Sequence, residues 1–135
     1  MMEDLRVTHM HLGAITSDGD RFIFRAPDEC LIRAIHVTNG TAVGDADNTM
    51  TFTVTNLEGD GAGTDTVAAL TTNVAGALVA DVPKALTLST TAANLELSSG
   101  DILQMDVNVS VSGTAVTDAE FAVTVTSSPG FGTGI

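Results

Sequence analysis

The chain has 135 residues, one cysteine, no Trp, no Tyr, and 17 acids against five bases, a net charge of −12. That length makes one domain, able to bury roughly two-thirds of its unfolded surface without staples, and the single Cys30 excludes an intrachain disulfide. The charge excludes a nucleic-acid partner, because phosphate binding rests on clustered Lys and Arg, and Lys84 is the one lysine present.

The opening "MMEDLRV" carries acids where a secretory signal carries positive charge, so the chain is expected to be made in a cytoplasm. No run approaches the ~20 apolar residues of a membrane span, and no membrane partner is expected. A first strand is predicted over 5–12. There "VTHMHLGAIT" sets His9 and His11 on one face, since residues two apart in a strand point the same way. Strands follow over 21–25 and 31–38. "CLIRAIHVT" is apolar on both faces, which suits a central strand or a subunit contact. "GDADN" is then a turn. "TMTFTVT" alternates Met50, Phe52 and Val54 with four threonines, the rhythm of a strand with one dry and one wet face. A Gly-rich loop, "GDGAGTDTV", leads into a strand over 66–70. "TTNVAGALVADV" is the sole helical candidate, and Gly76 and its valines weaken it. Weaker strands fall over 85–89 and 94–97. "QMDVNVSVS" alternates Met105, Val107, Val109 and Val111 with polar residues, and "EFAVTVT" repeats this with Phe121, Val123 and Val125. "SSPGFGTGI" has no pattern and reads as a tail.

About eight or nine short strands with frequent Gly/Asp/Asn turns predict an all-β fold, an antiparallel two-sheet β-sandwich. The predicted division is an N-terminal arm or first strand over 1–20, a sandwich over 21–128 and a tail over 129–135. Several strands hold little beyond Ala, Thr and Val, so trimeric or higher self-association is expected to cover further edges.

Each chemical candidate has a plainer reading. His9 and His11 form a metal-binding pair only if further ligands join them, because zinc takes three or four. The cupin pattern adds a glutamate soon after its His-x-His and a histidine on a later strand. Here Leu12 to Thr16 hold no acid, and His36 is the one other histidine. A metal shared across a symmetry axis is the version that survives. Asp45 and Asp47 lie in a turn without the bidentate acid of a helical-hand calcium loop. The loop at 59–67 resembles one unit of a calcium-binding nonapeptide repeat, but such repeats work by stacking. No Gly-x-Ser-x-Gly elbow and no phosphate loop is present, and sugar platforms lean on Trp and Tyr. Cys30 reads as a small buried hydrophobe. No enzyme activity, cofactor or resident metal is expected. The acid excess itself reads as solubility or as cation binding.

The bases cluster. Arg6, Arg21, Arg25 and Arg33 precede residue 34, after which one lysine faces eleven acids. An acid-seeking contact would therefore lie in the N-terminal part.

The run "RFIFRAPDECLIRAIHVTNG", then "NTMTFTVTNLEGDGAGTDTVAAL", "LELSSGDILQMDVNVSVSG" and "FAVTVTSSPG", resembles the small structural proteins of tailed bacteriophages. The likeness covers about 21–129 and is one of rhythm and composition. It implies a virion protein, a capsid decoration or cement subunit on a jelly-roll-like sandwich, with itself and the major capsid protein as partners. Leu5, Arg6, Val7, Arg21, Arg25 and Arg33 are then the expected capsid-contact or oligomer-interface residues, although ordinary surface arginines fit the same pattern. The alternative is a receptor- or glycan-binding tip of a tail fibre or spike.

Overall fold

A computed structural model describes residues 5–13, 19–40, 50–72, 78–109 and 121–130. The elements are β1 (Arg6–His11), β2 (Gly19–Arg25), β3 (Cys30–Thr38), β4 (Met50–Asn56), β5 (Asp65–Thr71), β6 (Lys84–Ala85), β7 (Thr87–Leu88), a 3-10 turn (Ala92–Leu95), β8 (Glu96–Leu97), β9 (Ile102–Val109) and β10 (Ala122–Pro129). All pairings are antiparallel. One sheet runs β1-β10-β3-β6, with β8 also on β3. The other runs β2-β9-β4-β5-β7.

The pairing is nested: first strand with last, β2 with β9, β3 with β6 and β8, β4 with β5. Nested antiparallel pairs wrapped into two sheets make a jelly roll, so the expected two-sheet sandwich is the fold. The apolar β3 lies inside its sheet, between β10 and β6.

Alternation explains the layers. Met50, Phe52 and Val54 are buried from one sheet, as are Met105 and Val107 beside them. Ile32, Ile35, Val37, Val123 and Val125 are buried from the other. The Phe52 and Phe121 rings stack between the layers at 5.6 Å, an aromatic contact worth about 0.5–1.5 kcal/mol beyond its area.

Three details differ from the sequence reading. The strand expected over 85–89 is two strands in different sheets: β6 pairs with β3 and β7 with β5. The chain crosses between layers at buried Leu86, whose N–H bonds Ile35 O at 2.8 Å. The strand expected over 94–97 begins as the 3-10 turn, where the Asn94 side chain donates to Thr66 O and Ser89 Oγ, both at 3.3 Å. Asn competes with strand pairing by such local bonds. The last strand extends to Pro129, into the stretch expected as tail, and Gly130 N–H bonds Glu29 O at 2.8 Å. The first strand is laid fully against β10, six residues in register.

Candidate docking site

β1 and β2 are the edge strands of the two sheets on one side of the roll. The layers part between them and leave a groove of about 270 Å³ lined by Arg6, Thr8, Met10, Ile23, Phe24, Arg25, Pro27, Cys30 and Ser127. It continues into a second hollow of about 300 Å³ lined by Met10, Phe22, Phe24, Arg25 and Ile102. The wall is mainly apolar and the rim carries two arginines.

A bulge builds this wall. The β2–β9 register slips between Phe22 and Phe24, so Ile23 is the extra residue. Bulges bend a strand and re-aim its side chains. Here Ile23 enters the core at 1% exposure and Phe22 stands 65% exposed. "FIF" is apolar on both faces, and that was the available signal for an outward aromatic.

The six interface candidates divide. Arg6 and Arg25, far apart in sequence, meet on the groove. Arg6 also donates to Asp28 Oδ1 at 3.1 Å, a surface pair worth little. No ion pair engages Arg25 among the described residues. Arg21 lies on β2 and turns back to Gly19 O at 3.4 Å. Leu5 and Val7 are exposed at the start of the chain's first strand, and Val7 alternates with Arg6 and Thr8 onto the face away from the groove. Arg33 is apart from them. It is the extra residue where the β10–β3 register slips, and it is exposed.

Cys30 lines the groove floor yet is buried. Burial pushes its thiol above the ordinary value of 9.0, Asp28 and Asp101 add to this, and Arg6 opposes it. A thiol held neutral is a poor nucleophile.

The histidines sit elsewhere. In the β1–β10–β3 register His9 opposes Thr124, and Thr124 opposes His36. Thr124 is on the outer face, because its neighbours Val123 and Val125 fill the core. All three histidines therefore face outward, away from the roll's interior where an enclosed catalytic metal would be held. The His9 and His11 rings meet edge to face at 5.4 Å. His9 Nδ1 is 3.0 Å from Thr124 Oγ1.

A second concavity, of about 450 Å³, is acidic. Glu58, Asp60, Asp65, Glu96 and Asp101 line it with Asn56 and Ser98. The Gly-rich loop forms part of it as a tight connection: Gly63 N–H bonds Leu57 O at 2.8 Å and Ala62 N–H bonds Asp60 Oδ1 at 3.0 Å. Among the described residues no three His, Cys, Asp or Glu are placed to hold one metal ion. Asp45 and Asp47 lie outside the described residues. No helix among the described residues is long and apolar enough to cross a membrane.

No family model, no curated protein and no solved structure matches the chain.

Proposed function

We propose that the protein is a non-enzymatic structural subunit of a phage virion, a capsid decoration protein that cements the head shell and works as a homotrimer. One observation carries the reading: on an otherwise acidic chain, an apolar groove with Arg6 and Arg25 on its rim opens between two edge strands, with Phe22 exposed beside it. Arginine pairs bidentately with carboxylates, and an edge strand offers unpaired backbone groups to an incoming segment. A shell subunit presenting an extended apolar and acidic segment would fit both. The likeness of strands and turns to small phage structural proteins supports the same role. A glycan-binding tip is the weaker reading, because the chain lacks Trp and Tyr.

The test mixes purified protein with shells that lack it. Saturable binding and greater heat resistance of the shells are expected. Phe22→Ser and Arg25→Glu should lose binding while keeping the wild-type melting temperature. Absence of binding at every salt concentration would refute the role.

A further inference from the structure

β1 also has an open backbone edge. Among the described residues nothing pairs with its other side. Leu12 N–H bonds Phe121 O at 2.9 Å, so by the alternation of an antiparallel ladder Met10 and Thr8 also direct their backbone groups at β10. Val7, His9 and His11 then direct theirs at the open edge. Natural edges are usually guarded by Lys, Pro or a bulge. β1, RVTHMH, has none of these, and its register with β10 is unbroken.

We propose that two copies of this chain pair through β1 about a two-fold axis at Met10, and that a borderline divalent metal such as Zn²⁺ bridges the paired edges through His9 and His11 of both copies. In this register His9 of each copy opposes His11 of the other as a hydrogen-bonded pair, and Met10 opposes Met10. Opposed residues share a face, so four imidazoles stand together on the outer side. Zinc takes four ligands in closed sites, and imidazole suits zinc, copper and nickel. One chain supplies only two ligands, which agrees with the absence of any three-ligand group among the described residues. The rings are already neighbours at 5.4 Å. Thr124 Oγ1 is placed to accept from His9 Nδ1–H, leaving Nε2 for the metal, the outer-shell arrangement that orients ligating histidines. The metal also answers a repulsion, because each copy carries −12.

The proposal goes beyond the cementing role, and its test needs no shells. Metal-free protein is titrated with zinc alone, and bound metal and particle mass are measured. The expected result is about one zinc per two chains, growth in mass, and reversal by chelator. His9→Asn and His11→Asn should each abolish uptake, Thr124→Val should weaken it by about 10–100-fold, and His36→Asn should change nothing. Met10→Cys reads the register independently of stability. Paired Cα atoms at the axis lie about 4.5 Å apart, within disulfide reach, so zinc should accelerate a two-chain cross-link under oxidant that wild type does not form. Zinc bound at one per chain, no uptake, loss of uptake in His36→Asn, or no zinc-dependent cross-link would each overturn the proposal.

Discussion

Gly63 has no room for a side chain. A Cβ there would meet the Asn56 carbonyl oxygen inside contact distance and lie 2.8 Å from the Leu57 carbonyl carbon. Both neighbours are backbone, so Gly63→Ala should destabilise the domain by about 1–3 kcal/mol, as overpacking does, read as a lower denaturant midpoint. Phe52→Ala acts oppositely, by emptying the space against Phe121, and should cost about 3–5 kcal/mol. Cys30 contributes through its proton. Burial raises the native thiol, so the native state keeps a proton that the unfolded chain releases above pH 9.0. The resulting stability is complete below the unfolded value and declines as pH rises toward the native one. The chain has no Tyr and one Lys, so few other groups titrate there. Cys30→Ala should flatten the fall in denaturant midpoint between about pH 8 and pH 10. Gly63 and Cys30 also mark what sequence can convey at this scale. A lone cysteine among apolar residues reads correctly as buried, while the need for glycine at 63 depends on how a loop folds back on its own strand.

Among the elements, legibility followed length. β4, β9 and β10 run seven or eight residues, long enough for period-two alternation to declare both strand and buried face. β6, β7 and β8 have two residues each. No periodicity can exist at that length, and their pairing is imposed by the longer strands they meet. Bulges are equally silent. The slip at Ile23 goes with an exposed Phe22, and the slip at Arg33 with an exposed arginine. Neither leaves a mark in "RFIFR" or "CLIRAIH" beyond apolarity on both faces. The groove was therefore half legible: the arginine cluster identified the region, and the edge geometry that gathers Arg6 with Arg25 needed the pairing order. The turn entering β9 supplies a test of such long-range ties. Asp101 is 8% exposed and accepts from Asn56 Nδ2 at 3.1 Å and Ser98 N–H at 2.9 Å, joining the end of β4 to the start of β9. Asp101→Ala strands both donors, and the expected loss is about 2–3 kcal/mol, measured by chemical unfolding. A loss under half a kcal/mol would mean water replaces the carboxylate there.

At the scale of the whole molecule, charge is divided. The groove between β1 and β2 holds Arg6 and Arg25, while a separate concavity gathers five carboxylates. With a net of −12, self-repulsion works against the compact state, and salt screens it over a Debye length of about 10 Å at 0.1 M. Raising NaCl from about 0.02 to about 0.5 M should therefore raise the melting temperature, by about 3–5 °C if screening recovers about 1 kcal/mol. Docking through arginine onto shell carboxylates has the opposite sign, since salt screens attraction between the partners just as it screens repulsion within one. Binding to shells should weaken over the same range while the protein itself grows more stable. The two trends separate the electrostatics of the fold from those of the contact. Arg25→Glu should leave the first trend in place and remove the second. A wild-type affinity that rose with salt would assign the contact to apolar burial by Phe22 and its neighbours, with the arginine rim reduced to ordinary surface.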